Sequence, residues 1–236
     1  TIFEQIEHMP TGETVWSHQF EDDPANADHL ATTAVVAAAE SLNTARDAER
    51  QKGLTLGPKD IARMIEGSNL ISIYSPIEAA KPLEIFQDLA ARVPGSAQVH
   101  AMLALSLLRQ VNSPSDANSE AVKQVRSEAE KAIRIDPEAA GAAFDALYGL
   151  SVVLEPKDLA KQQDVLLDGL RQAPAFAFLS MRECDILLDV GRVKDALPHC
   201  LRAIAMRPTA APIAWRVARA YAVAGQWATA EEASER

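Results

Sequence analysis

Residues 177–209, AFLSMRECDILLDVGRVKDALPHCLRAIAMRPT, decide the fold of this chain. Two helical stretches flank Gly191, which can take the positive φ of a tight connection, and Pro208 ends the second stretch. Small residues stand where two such helices would approach most closely, at Cys184, Ala196 and Ala203. The segment is therefore predicted to be an antiparallel helix pair.

The same pattern recurs on both sides of this segment. In the next unit Gly225 stands at the turn, and Ala218 and Ala230 stand at small positions. Helix-ending prolines fall at intervals of 43, 37 and 34 residues, at Pro94, Pro137, Pro174 and Pro208. Residues 113–118 are the expected site of the insertion that lengthens the first interval. Since one helix pair cannot bury its apolar face alone, residues 58–236 are predicted to stack into an α-solenoid of antiparallel helix pairs.

Residues 1–52 have a different pattern. Apolar residues flank a turn at residues 10–13, which predicts a β-hairpin over residues 1–20. A polar linker (21–26) and a long helix from Ala27 to Arg50 follow. We interpret residues 1–52 as the C-terminal remnant of a truncated α/β domain. Because an isolated two-stranded hairpin is marginal in water, we expect it to pair with another chain, for example in a homodimer, or to stay poorly ordered.

The repeated units resemble tetratricopeptide repeats, with Gly191 at the turn glycine and Pro208 at the terminal proline. Two further segments together look like a more specific family. The first has Thr11-Gly12-Glu13, Val15-Trp16-Ser17, an acidic stretch and the alanine-rich helix. The second has Glu66-Gly67-Ser68-Asn69-Leu70, Tyr74-Ser75-Pro76 and Lys81 to Phe86. They are similar to the effector half of HilA/CadC-type bacterial transcriptional regulators, and to the accessory region of class III adenylate cyclases. The chain departs from that pattern at Pro82, where a helix-compatible small residue is usual.

The resemblance implies a regulatory protein-interaction or sensing domain of a bacterial transcriptional regulator. Such a domain would bind a partner or ligand and control an output domain outside residues 1–236. The alternatives are the accessory domain of an adenylate cyclase and a stand-alone tetratricopeptide adaptor. We expect no catalytic activity from the chain itself, because no catalytic constellation, phosphate-binding loop or metal-ligand spacing occurs in it, and we expect no cofactor and no metal.

Composition and charge limit the remaining classes. The formal net charge of −10 argues against direct contact with nucleic acid. No apolar run has the length of a membrane span, so no membrane contact is expected. The spacing of Cys184 and Cys200 fits neither a zinc site nor a disulfide framework, and both are expected to be buried, inert thiols in a reducing cytoplasm.

A protein or peptide partner is expected on the concave surface, which the first helices of the pairs line in tetratricopeptide arrays. In the aligned units this surface is predicted to carry Met181, Asp185, Leu188, Trp215 and Arg219. Aromatic and arginine side chains are enriched among binding hot spots. The competing interpretation is ordinary packing between repeats, with Asp185 and Arg219 forming a weak surface pair.

Overall fold

The computed structural model describes residues 1–23, 26–50, 54–72 and 80–234. Within these residues the chain is mainly helical, with an N-terminal two-stranded hairpin followed by a helical array, as the sequence predicts. Parts of the sequence predictions fall outside the described residues: linker positions 24–25, Gly53, the segment Tyr74-Ser75-Pro76 and the last two residues of the repeat region.

The hairpin consists of β1 (Ile2–His8) and β2 (Glu13–Phe20), and the long helix α1 (Ala27–Glu49) follows it. The array in the described residues comprises α2 (Pro58–Ser72), α3 (Ala80–Arg92), α4 (Ala97–Leu108), α5 (Glu120–Ile135), α6 (Gly141–Leu154), α7 (Leu159–Gln172), α8 (Ala177–Asp189), α9 (Val193–Met206), α10 (Ala211–Val223) and α11 (Trp227–Ser234). We call the even-numbered helices from α2 to α10 the A helices and their partners α3 to α11 the B helices.

The turn between α8 and α9 shows why these residues form a helix pair. Gly191 has a φ of +77°, a left-handed conformation that side chains with a Cβ disfavour. In this turn the N–H of Gly191 donates to the carbonyl of Leu188, and the N–H of Arg192 donates to the carbonyl of Leu187. These two bonds satisfy carbonyls that would otherwise be left unpaired at the end of α8. The predicted turn glycine is confirmed.

The predicted helix ends are also confirmed. The four prolines lie in the turns that follow α3, α5, α7 and α9. The predicted insertion is a short 3-10 helix, Pro114–Asn118, between α4 and α5. Pro82 lies in the first turn of α3, where the missing N–H removes no helical hydrogen bond. The departure at Pro82 is therefore compatible with a helix that begins at Ala80.

The hairpin is ordered by contacts within the chain. One face packs against α1 and α2, and His8 lies 3.8 Å from Glu49 of α1. The strand register skips Val15 at a β-bulge, which turns this side chain into the helical core. The apolar face of the hairpin is covered within the chain, which removes the reason for expecting it to pair with another chain. The predicted homodimer loses the argument on which it rested.

One apolar cluster connects the N-terminal part to the array. It runs from Val15 of the hairpin through Ala45 and Ala48 of α1 to Leu150 of α6. The boundary predicted between residues 52 and 58 therefore falls within one core. Three smaller clusters follow along α6 to α11. Each cluster joins neighbouring helices, as expected for stacked pairs.

Gly67 belongs to the narrower resemblance and has a packing role here. A Cβ at this position would lie 2.7 Å from Cε2 of Phe86, a fully buried ring on α3. The glycine lets the ring pack directly on the backbone of α2, so this motif residue is accounted for by helix packing.

Candidate functional site

Side chains on successive A helices are joined by ion pairs, and the first of these connects α6 to α8. Arg182 donates from Nε to Oδ1 of the buried Asp145 at 2.9 Å. The guanidinium also lies over the ring of Tyr148, 5.8 Å from its centroid. The charge of Asp145 raises the pKa of Arg182, and burial raises the pKa of Tyr148. The three groups therefore form one fixed cluster across two helices.

A second set of ion pairs connects α8 to α10. Arg216 donates from Nε to Oδ2 of Asp185 at 2.6 Å. Arg219 donates from Nη2 to Asp189 at 2.5 Å, and its Nη1 lies 3.6 Å from Asp185. We call the six charged residues of the two sets the A-helix ladder: Asp145, Arg182, Asp185, Asp189, Arg216 and Arg219. Its three positive and three negative charges compensate one another, so the ladder carries no net charge. Its ion pairs connect α6 to α8 and α8 to α10.

Trp215 is the aromatic side chain that stands beside the ladder in solvent. It remains 58% exposed, and the guanidinium of Arg216 lies 5.5 Å from its ring centroid. Because Arg216 is itself fixed by Asp185, the ring is held in place beside a charged group. Tryptophan and arginine are both among the residue types enriched in binding hot spots.

The five residues predicted for the partner surface differ in their exposure to solvent. Met181 and Leu188 are buried, 2% and 6% exposed, because they lie on the side of α8 that packs against neighbouring helices. They offer almost no surface to a partner, which corrects the prediction for these two residues. Asp185 and Arg219 are neighbours in the ladder instead of flanking an apolar contact. Partner binding at Trp215 stays a prediction.

Sequence reasoning missed Asp145, Tyr148, Arg182 and Asp189, although a signal for part of the ladder was present. Arg182 and Arg216 are one 34-residue period apart, and so are Asp185 and Arg219. Residues one period apart occupy equivalent positions on successive helices, so these four form two rows on the same face. Which arginine pairs with which carboxylate depends on side-chain reach, which the period does not give.

Cys184 and Cys200 form a disulfide between α8 and α9, with Cα atoms 5.3 Å apart. The expectation of two unpaired thiols is thereby corrected. Each cysteine lies eight residues from Arg192 in the turn, so the antiparallel pair brings the two side chains opposite each other. Both residues are buried, as predicted. The spacing rules for zinc sites and disulfide frameworks do not consider equal distances from a helix–helix turn, so they could not predict this disulfide.

A surface groove of about 380 Å³ lies between α3, α4 and α5. Its polar end contains the buried His100, whose Nδ1 is 2.6 Å from Glu128 and whose Nε2 is 3.0 Å from the carbonyl of Pro94. Both ring nitrogens are thus engaged within the protein. The imidazole of His100, on α4, thus links the turn that precedes α4 to the middle of α5.

Comparison with known proteins adds no relative: no family model matches the chain, and no curated protein matches it. In the described parts of the chain, every helix is too short or too polar to cross a membrane. Among the same residues no group of three or more His, Cys, Asp or Glu side chains is placed to hold a metal ion. The fold and the ladder therefore define the chain as a solenoid-like helical array that presents Trp215.

Proposed function

We propose that the chain is a regulatory protein-interaction domain that binds a peptide segment of a partner at Trp215. The exposed position of this ring beside the A-helix ladder is the observation that supports the proposal. Burying a large aromatic side chain supplies much of the free energy of binding at protein interfaces. The ladder contributes by holding α8 and α10 in a fixed relation, which reduces the entropy that binding would otherwise lose.

The wider setting that we propose follows from the family resemblance. The domain would belong to a bacterial transcriptional regulator in the cytoplasm and would pass its bound state to a separate output domain. It would not catalyse a reaction itself. The Cys184–Cys200 disulfide is the observation that speaks against a cytoplasmic location, because disulfides persist mainly in oxidising compartments.

The coding sequence immediately upstream of Thr1 in the parent gene tests this setting. A winged-helix pattern supports the regulator, and a cyclase domain supports the alternative enzyme. A start codon close to Thr1 supports the third alternative, a stand-alone tetratricopeptide adaptor. The binding proposal at Trp215 is independent of this outcome.

Trp215→Ala tests the binding proposal, with Trp227→Ala as its matched control. Both tryptophans are exposed, but Trp227 begins the B helix α11 and lies outside the ladder. A displayed library of random peptides is selected on the unmodified chain and on each variant. We expect Trp215→Ala to lose the peptides that the unmodified chain and Trp227→Ala both enrich, with an unchanged thermal melt. Enrichment of the same peptides by Trp215→Ala would contradict the proposal.

A further inference from the structure

A contact between the two ends of the chain is not accounted for by stacking of neighbouring helices. Arg207 lies in the turn between α9 and α10, and its Nη1 donates to Oε2 of Glu40 at 2.8 Å. Its Nη2 donates to Oδ2 of Asp47 at 3.1 Å. The hydroxyl of Thr209 donates to the second oxygen of Glu40 at 2.7 Å. The end of the fourth helix pair is therefore held against α1, more than 150 residues earlier in the chain.

These groups are well placed to act as one unit. Glu40 and Asp47 are seven residues apart on α1, which puts them on the same side of the helix, two turns apart. The guanidinium fork of Arg207 spans both carboxylates, and its side chain is only 17% exposed. Both terminal nitrogens of the Arg207 guanidinium are therefore hydrogen-bonded. Such a two-point contact constrains the geometry more than a single surface ion pair does.

The hairpin, α2 and the turn at Arg207 all contact α1. On one side it joins α2, where Ala45 and Ala48 enter the shared core and Asn69 donates to Ser41. The five consecutive residues 36–40 are all partly buried, although they point in every direction around the helix. The hairpin also packs against α1. The turn at Arg207 contacts α1 through Glu40 and Asp47.

The contacts of α1 with α2 and its contacts with the turn at Arg207 differ in chemistry. Ala45 and Ala48 bind α1 to the N-terminal core by apolar packing, whereas the contacts recorded with Arg207 and Thr209 are ionic or hydrogen bonds. None of the apolar clusters in the described residues joins α1 to α9 or α10. Polar groups can exchange such contacts for water at small cost, while apolar surfaces cannot. The recorded contacts of the turn at Arg207 can therefore be replaced by water at a smaller cost than the apolar contacts of Ala45 and Ala48.

We propose that this contact is a clasp: α1 closes the helical array onto itself through Arg207, and the array opens when the clasp is released. In a stack each helix pair contacts only its neighbours, so a bond between α1 and the fourth pair fixes how the stack curves between them. Trp215 lies on α10, which begins two residues after Thr209. Release of the clasp would therefore move the ring relative to the hairpin. That last consequence rests on the proposed function, whereas the clasp does not.

The test measures the distance between α1 and α10 in the whole chain. Spin labels are attached at Leu42 and Val223, both exposed, through chemistry that leaves the Cys184–Cys200 disulfide intact. We expect one narrow distance distribution in the unmodified chain at low salt. In Arg207→Gln we expect a longer and broader distribution with unchanged helicity, and small-angle scattering should show a larger radius of gyration.

Four further comparisons make the result specific. Glu40→Gln with Asp47→Asn should lengthen the label-to-label distance as Arg207→Gln does. Combining all three changes should not lengthen it further, because the single and double variants remove the same contact. Salt should shift the unmodified chain toward the open distance and leave Arg207→Gln unaffected. Arg171→Gln, which removes an exposed local pair with Asp168, should match the unmodified chain.

Two results would overturn the clasp. One is an unchanged distance in both Arg207→Gln and the Glu40→Gln, Asp47→Asn variant. The other is loss of helicity in both, since the contact would then be part of the fold and could not open separately. Neither result depends on whether Trp215 binds a peptide, so the two proposals fail independently.

Discussion

Gly191 and Gly225 close two successive helix pairs in the same backbone conformation, each with a φ of +77°. They are 34 residues apart, and both turns use the same pair of backbone hydrogen bonds to the end of the preceding A helix. The repeat is thus a repeat of backbone geometry as well as of residue type.

Gly191→Ala is expected to destabilise the chain by about 1–2 kcal/mol, because alanine disfavours a positive φ. A Cβ added at this position would have no atom within 4 Å, so the conformation alone would be responsible. Gly95→Ala is the matched control, since Gly95 also lies in a turn with open space but without a positive φ. Urea unfolding of both variants checks the prediction. Equal stability of the two would show that the turn tolerates a side chain.

Ala203→Leu is expected to lower the free energy of unfolding by roughly 1–3 kcal/mol, because extra methylene groups overpack a close contact. Ala203 is fully buried in the cluster between α8, α9 and α10. Ala228→Leu makes the same change at an exposed position of α11 and should be nearly neutral. Thermal melts of the two variants are compared. An unchanged melting temperature for Ala203→Leu would mean that the helices separate here at no cost.

Reduction of the Cys184–Cys200 disulfide is expected to destabilise the chain by about 3 kcal/mol, because a closed loop of this length restricts the unfolded chain. The two cysteines are 16 residues apart. Melts with and without reductant measure the effect, and a double Cys→Ala variant should not respond to reductant. Thiol titration of the unfolded, unreduced protein provides the decisive count: two free thiols would contradict the disulfide and restore the expectation of a reducing compartment.

Alkaline pH is expected to weaken the fold through Tyr148, whose pKa burial raises above the ordinary value of 10.0. The folded state holds the phenol proton more tightly than the unfolded state. The contribution of Tyr148 to the free energy of unfolding is therefore fully present below pH 10, and it is lost as the pH rises through the pKa of the folded state. Tyr148→Phe keeps the ring but cannot ionise, so its stability should fall less steeply in this range. Urea unfolding across alkaline pH measures both slopes, and equal slopes would show that the environment of Tyr148 does not favour the neutral form.

Part of the candidate site could be predicted from the repeat. Trp215 was predicted on the A-helix surface, and the structure leaves it exposed there. Met181 and Leu188 share that helical surface only in part, since small differences in helix rotation decide which side chains turn inward. The partners of Arg182 and Arg216 could not be predicted, because they depend on the distance between helices and on rotamers that the sequence pattern does not contain.

The sequence by itself determined the helix pairs, their turns and their order, because these depend on local chemistry: glycine at positive φ, proline after helix ends and small residues at close contacts. Only the tertiary structure decided how distant parts meet. The covering of the hairpin by α1 and α2, the pairing of Cys184 with Cys200 and the contact of Arg207 with Glu40 all depend on the accumulated angles between helices. A small change in each angle adds up over successive pairs, so contacts across more than 150 residues follow from the whole stack and from no local pattern.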